Sequence, residues 1–130
     1  MPYAKRKIMA LFRFMELDIW KESIEINDKL FDLADKLSDS KSYRVAEQLR
    51  GASLSISNNI AEGSGSFSDK DFANFLNIAR RSVFETANIS YVAFRRNFIQ
   101  EEELNKILDG LDSLSRKITN FRKTVLKNIN

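Results

Sequence analysis

Residues 48–63, which read QLRGASLSISNNIAEG, decide the fold of this chain. Small or apolar residues recur there at steps of three and four, at Leu49, Ala52, Ser53, Ile56 and Ile60. This spacing is typical of one face of an α-helix. Because the side chains on that face are mostly small, a neighbouring helix can pack at short range. The stretch therefore predicts the central helix of a helical bundle, and Asn58 and Asn59 are interpreted as polar groups that fix its packing register.

The preceding segment, residues 17–37, predicts a helix that is apolar over about half of its circumference. One apolar group comprises Ile19, Ile26, Leu30, Leu33 and Leu37, and a second comprises Trp20, Ile24, Phe31 and Ala34. A helix that serves a single bundle needs a stripe only a little wider than about 100°. We therefore expect this helix to pack on two sides, with one side available to another subunit.

Polar and glycine residues mark the ends of the central helix. A polar break at residues 38–40 precedes it, and Tyr43 and Ala46 extend its core stripe towards its start. After the last apolar residue of the stripe, either Gly63 or Gly65 is predicted to end the helix in the left-handed conformation.

A third helix is predicted to start at a capping box, in which Ser68 precedes Asp71 by three residues. Its core stripe becomes smaller towards the C-terminal half and comprises Phe72, Phe75, Leu76, Ala79, Val83, Thr86, Ser90 and Ala93. Four further apolar residues lie off that stripe, namely Ile78, Phe84, Ile89 and Tyr91. These four are expected to contact a partner or a sister subunit.

The fourth helix has the most regular pattern. Acidic residues at 101–103 favour a helix N-terminus. Apolar residues then alternate at steps of three and four, at Leu104, Ile107, Leu111, Leu114, Ile118, Phe121 and Val125. Four helices with short connections predict an all-α fold, an antiparallel up-down-up-down four-helix bundle. Residues 1–130 are assigned to a single domain, with residues 1–16 as an N-terminal arm.

The composition excludes most catalytic chemistry. The chain has no cysteine and no histidine, so disulfides, thiolate nucleophiles, imidazole bases and the usual zinc, copper and haem ligands are absent. Residues 63–66 lack the lysine of a phosphate-binding loop. Carboxylates near Glu62, such as Glu47 and Asp69, are interpreted as capping and surface residues. No catalytic residue, metal ligand or cofactor is predicted.

The N-terminus has the order of a signal peptide, because a basic triplet at residues 5–7 precedes an apolar run. Arg13 interrupts that run early and no small-residue cleavage site follows, so no signal peptide is predicted. Apolar residues make up 43% of the chain and charged residues 30%, which is the balance of a globular protein rather than a membrane protein. The cytoplasm is the expected location.

Charge is divided unevenly along the chain, although the net charge is only +3. Residues 17–62 carry six basic and nine acidic side chains, whereas residues 80–130 carry ten basic and six acidic ones. The cations opposite the predicted core stripes are Arg81, Arg95, Arg116, Lys123 and Lys127. Two basic strips of this kind suit a phosphate backbone. The alternative interpretation is that they only complement helix dipoles and solvate the surface.

Three stretches, LDIWKESIEI, QLRGASLSISNNIAEGSG and FANFLNIARRSVFETANISYVA, resemble a known family. They are similar to the bacterial four-helix-bundle proteins encoded in intervening sequences of 23S rRNA genes, a family that resembles the accessory variability protein of diversity-generating retroelements. The resemblance covers residues 17–125. Its central motif comprises Leu49, Arg50, Asn59, Ile60, Ala61, Glu62 and Gly63. The chain departs from the family at Ser57, where proline is usual, at Gly51, and at Arg80 and Arg81.

The resemblance implies a homo-oligomer, a pentamer of bundles. For the retroelement relatives it implies binding of nucleic acid and of a reverse transcriptase through a basic surface. Our leading hypothesis is a non-enzymatic, oligomeric bundle that binds structured nucleic acid, RNA or DNA, through the five cations named above. The alternative hypothesis is a protein-interaction scaffold that does not bind nucleic acid and uses the off-stripe apolar residues of the third helix.

Overall fold

A computed structural model gives four long helices and describes residues 8–127. The helices are α1 (Asp18–Asp39), α2 (Tyr43–Ser64), α3 (Asp69–Arg95) and α4 (Glu101–Lys127), and a short 3₁₀ turn at Arg13–Glu16 precedes them. Each helix packs on the next along the chain, and α4 returns to pack on α1. Because no strand occurs among the described residues, the predicted all-α four-helix bundle is confirmed.

Neighbouring helices run antiparallel. On α1 and α4, Lys36 pairs with Glu103 at 3.5 Å, whereas Glu22, earlier on α1, bonds Lys117, later on α4, at 2.9 Å. The connections between successive helices contain only three to five residues, and connections this short join antiparallel neighbours. The chain therefore alternates up and down around the bundle.

The heptad of α4 packs into the core as predicted. Six of its seven apolar positions are buried. The seventh, Phe121, is half-buried, and its ring meets the edge of Phe72 on α3 at a centroid distance of 5.7 Å. The regularly spaced apolar residues of α4 are therefore the residues that α4 buries in the core.

Two apolar residues depart from their predicted environments. Tyr43 was assigned to the core but is 60% exposed, because it is the first residue of α2 and lies before the first buried position, Ala46. Ile89 was expected to lie off the core stripe of α3 and to contact a partner or a sister subunit, but it is buried within the bundle. It lies two turns from Ser82, whose hydroxyl contacts α2, so it occupies the flank of α3 that packs on α2.

The helix ends also differ from the prediction. Gly63 lies within α2 and Gly65 has a φ of −88°, so neither glycine takes the left-handed conformation. Among the non-glycine residues described, Lys41 and Asn97 do so, with φ values of 65° and 67°. In both turns the next amide donates to the carbonyl five residues back, which is the Schellman pattern. A lysine and an asparagine therefore end α1 and α3.

Small residues bring α2 and α3 close together. A Cβ added at Gly63 would lie 2.6 Å from Cβ of Phe75, so glycine is required by close approach rather than by a turn. Further along the same contact, the hydroxyls of Ser55 and Ser82 share a hydrogen bond of 2.9 Å. At the start of α3, the predicted cap is confirmed, because Ser68 Oγ accepts a hydrogen bond from the amide three residues later.

The two asparagines predicted to fix the packing register of the central helix do not bond to another helix. Asn58 is exposed, and Asn59 donates to Ser55 of its own helix, so neither amide reaches another helix. Instead, the side-chain oxygen of Asn27 on α1 accepts a hydrogen bond from Ser53 Oγ on α2. This bond and the pairing of Arg50 on α2 with Asp35 on α1 are both polar contacts between the two helices.

Within the described part of the N-terminal arm, the 3₁₀ turn at Arg13–Glu16 packs against one end of the bundle, whereas residues 8–12 are exposed. Phe14 meets Trp20 edge to face at 5.0 Å, and the guanidinium of Arg13 lies 5.1 Å from the centre of the Phe72 ring. The rest of the predicted arm, including its basic triplet, lies outside the described residues. Within residues 8–127, no helix contains a segment long and apolar enough to cross a membrane.

Candidate nucleic-acid interface

Three of the five predicted cations share the outer face of α4. Arg116, Lys123 and Lys127 are all exposed and recur at steps of seven and four, which places them on one side of a helix. Arg116 forms an ion pair with Asp112 at 3.2 Å, one turn earlier. Since Asp112 is the last acidic residue of the sequence, the rest of this face is positively charged.

The other two predicted cations lie elsewhere. Arg81 lines a groove with Ser82 and Glu85, on the flank of α3 nearest to α2. Arg95 is the last residue of α3, whereas the C-terminal part of α4 contacts α3 at Ala73. At about 1.5 Å per residue, roughly 30 Å of bundle separates those two levels. The five predicted cations therefore do not form one continuous strip.

Two cations that were not predicted extend the positive surface of α4 towards α3. Arg80 of α3 and Arg122 of α4 line a groove between the two helices, together with Asn77, Thr119 and Lys123. The groove presents three positive charges and two neutral polar groups. We call the cations of this surface the α3/α4 basic face, and it comprises Arg80, Arg116, Arg122, Lys123 and Lys127.

Neighbouring groups hold the two groove arginines in place. Arg122 Nε donates a hydrogen bond of 2.9 Å to the carbonyl of Ala73. The guanidinium of Arg80 lies 5.1 Å from the centre of the Phe84 ring, a cation–π distance. Both side chains are half-buried, so binding should cost them less conformational entropy than it would cost fully solvated lysines.

An apolar pocket adjoins the basic groove between the same two helices. It has a volume of about 240 Å³ and is lined by Val83, Phe84, Ala87, Leu108, Leu111, Asp112 and Ser115. Phe84 is 58% exposed and also contacts Arg80. The pocket and the basic groove therefore meet at the Arg80–Phe84 pair.

Arg80 and Arg122 were not predicted as binding residues, because the prediction was restricted to cations opposite the core stripe of each helix. That criterion selects residues at the outermost line of a helix, such as the exposed Arg116 of α4. Residues at the border of the stripe line the grooves between helices instead, and Arg80, next to the buried Ala79, is one of these. A search for cations at stripe borders would have found both arginines.

Arg50 of the family motif serves the fold rather than this interface. Its guanidinium donates to Asp35 on α1 at 2.8 Å, to Glu47 on its own helix at 2.7 Å, and to Ser38 at 3.2 Å. The hydrogen bond to Asp35, followed by that to Glu47, raises the pKa of Arg50 above its usual value despite the opposing effect of burial. Arg50 therefore joins the end of α1 to α2.

The remaining motif residues also lie on α2, away from the basic face. Leu49, Ile60 and Gly63 are buried, Asn59 and Ala61 are half-buried, and Glu62 is exposed. Within residues 8–127, no cluster of three or more acidic side chains is arranged to hold a metal ion. On the α3/α4 basic face, the charged side chains are guanidinium and ammonium groups.

Comparison with known proteins agrees with this architecture. The crystal structure of a protein with unknown function from the S23 ribosomal protein family of Bacteroides thetaiotaomicron VPI-5482 has a similar fold, with a TM-score of 0.76. The two sequences are 24% identical, and the match covers 81% of this chain and 98% of that chain. None of the curated proteins compared with the chain matches it. The family model of the 23S rRNA-intervening sequence protein matches residues 15–120, and the chain belongs to that family.

Proposed function

We propose that this protein is a non-enzymatic bundle that binds structured nucleic acid through the α3/α4 basic face. The observation that carries the proposal is the convergence of Arg80 from one helix with Arg122 and Lys123 from the next on a single groove. Guanidinium groups bind phosphate oxygens through paired, charge-assisted hydrogen bonds. Two helices that each contribute cations can follow a phosphate backbone along the groove.

Binding of this kind depends strongly on salt, because each neutralised phosphate releases counterions. On duplex DNA the logarithm of affinity falls with the logarithm of salt by roughly 0.9 per contact. Four contacts would therefore cost roughly a hundredfold in affinity between about 50 and 200 mM salt. A fluorescence-anisotropy titration of labelled stem-loop RNA and duplex DNA across this range measures the slope directly.

Two variants with equal charge loss test the location. The triple change Arg116→Gln, Lys123→Gln and Lys127→Gln should weaken binding and reduce the duplex slope by roughly 2.7. Its control removes the exposed cations of other surfaces through Arg44→Gln, Arg81→Gln and Arg95→Gln, and should keep most of the affinity. Equal loss in both variants would contradict a localised face, and wild-type protein without affinity at low salt would contradict the function. Circular dichroism checks that both variants remain helical.

A second candidate function, a protein-interaction scaffold, is supported by apolar side chains on the outer flank of α1 and α2. Phe31 lies one turn from Asp35, and Leu54 lies one turn from Arg50, the residue that Asp35 pairs with. Leu54 is 42% exposed and Phe31 is half-buried. This flank suits contact with a second copy of the chain, and the pentamer implied by the family resemblance is our proposed assembly.

Sedimentation velocity tests the self-association that this flank suggests. Leu54→Asp should dissociate the assembly into smaller species, because it introduces a charge into an apolar contact. Gln48→Asp, at an exposed position of the same helix, is the matched control and should leave the assembly intact. A monomeric wild-type protein at all accessible concentrations would refute self-association and would leave the nucleic-acid proposal untouched.

A further inference from the structure

The apolar pocket between α3 and α4 is a second potential contact for the ligand, and a phosphate group would not fill it. Its lining is largely apolar, with Val83, Ala87 and Leu108 among its walls. The ring of Phe84 forms one boundary, and the guanidinium of Arg80 lies over one face of that ring, 5.1 Å from its centre, and also lines the basic groove. A ligand that occupies both sites combines an apolar group with a neighbouring negative charge.

We infer that the pocket takes an unpaired nucleobase while the neighbouring groove holds the adjoining phosphates. This inference rests on the proposed function and deepens it, because it names the part of a nucleic acid that the site selects. A nucleotide combines a flat ring with an attached phosphate in the arrangement that the pocket and groove require. Bases pack on aromatic side chains without a strict sequence preference, because every base has a π-face.

Pairing and stacking exclude the bases of a regular duplex from such a pocket. Recognition of RNA by proteins is concentrated at loops, bulges and single-stranded ends, where bases are free to leave the stack. The substrate class is therefore nucleic acid with unpaired nucleotides, and a fully paired duplex binds through the basic face alone. Charge complementarity at Arg80, Arg122 and Lys123 directs the backbone, and the pocket selects the exposed base.

Abasic nucleotides separate the two contributions, because they keep the phosphates and remove the bases. The probes are a labelled RNA stem with a loop of adenosines and the same stem with an abasic loop, titrated at one salt concentration. We expect the adenosine loop to bind at least fivefold more tightly, since removal of one base–aromatic contact costs roughly fivefold to a hundredfold in affinity.

Two variants connect this preference to the pocket. Phe84→Ala should remove most of the difference between the two probes, and Ala87→Leu should do so by filling the cavity without changing charge. Tyr91→Ala is the control, because Tyr91 is an exposed aromatic residue of the same helix outside the pocket. It should leave the preference unchanged.

Each outcome decides the inference. Equal affinity for the adenosine and abasic loops overturns the nucleobase pocket but leaves phosphate binding intact. A preference that survives both Phe84→Ala and Ala87→Leu also overturns it, since the base would then bind elsewhere. Absence of binding to either probe at low salt overturns the inference together with the proposed function.

Discussion

Replacing Gly63 by alanine should push α2 away from α3 and destabilise the bundle. The added Cβ would lie 2.6 Å from Cβ of Phe75 and 2.9 Å from Cδ1 of Phe72. Carbon atoms in favourable contact are about 3.5–4.0 Å apart, so the helices would have to separate locally by about 1 Å. The contact at Phe75 involves an atom fixed to the α3 backbone, and rotation of a side chain cannot relieve it.

The expected loss follows from two opposing effects. Overpacking of a well-packed interior costs about 1–3 kcal/mol, and the rigid contact favours the upper part of that range. Alanine improves helix propensity over glycine by about 1 kcal/mol, which offsets part of the cost. The free energy of unfolding should therefore fall by about 1–2 kcal/mol for Gly63→Ala.

Gly51→Ala is the matched control on the same helix. A Cβ at Gly51 would have no neighbour within 4 Å, so only the propensity gain remains and stability should rise by about 0.5–1 kcal/mol. Urea denaturation followed by circular dichroism gives both values. If Gly63→Ala were as stable as Gly51→Ala, the close approach of α2 and α3 would be refuted as the reason for the glycine.

Three further changes test other parts of the fold. Lys41→Gly should stabilise the protein by about 1 kcal/mol in urea denaturation, because Lys41 holds the left-handed conformation at the end of α1; an unchanged midpoint would contradict strain there. Burial, followed by repulsion from two neighbouring carboxylates, raises the pKa of Asp28 in the native state. The native state therefore loses stability as pH rises from the unfolded-state pKa of Asp28 through its higher native-state pKa. Asp28→Asn should therefore raise the melting temperature at about pH 7 and leave it unchanged near pH 3, and an equal shift at both values would refute the assignment. Arg50→Gln removes hydrogen bonds to Asp35 and Glu47, and its destabilisation in thermal melts should shrink at about 1 M salt; a salt-independent effect would instead indicate a packing role.

The sequence predicted the fold where burial follows directly from helical periodicity. The stripe of α4 from Leu104 to Val125 needs only the angle between successive residues, and six of its seven positions are buried. The environments of Tyr43 and Ile89 were predicted wrongly. Helical periodicity does not show that Tyr43 lies at the end of the bundle, and it does not show that the contact of α3 with α2 is wide enough to bury Ile89. Lys41 was missed because the left-handed turn is forced by the path of the chain, against the preference of a lysine for negative φ.

The candidate site was predicted less well, for a related reason. A helical projection identified Lys123 as exposed, but the groove beside it depends on which helix packs against α4 and at what level. That level is fixed by contacts such as Arg122 with Ala73, which join residues far apart in sequence. Arg80 and Phe84 line a groove and a pocket only because α3 packs beside α4, and the sequence alone does not show this packing.

The family motif and the proposed binding surface lie on different helices, yet α3 joins them. One flank of α3 is fixed to α2 by the close approach at Gly63 and by the bond between Ser55 and Ser82. Its opposite flank carries Arg80 and Phe84 towards α4. Because a helix moves largely as a unit, a shift at the α2 contact would change the width of the groove on the other side. Through Gly63, the motif of α2 therefore helps to position the helix that carries Arg80 and Phe84, although the motif does not touch the proposed binding surface.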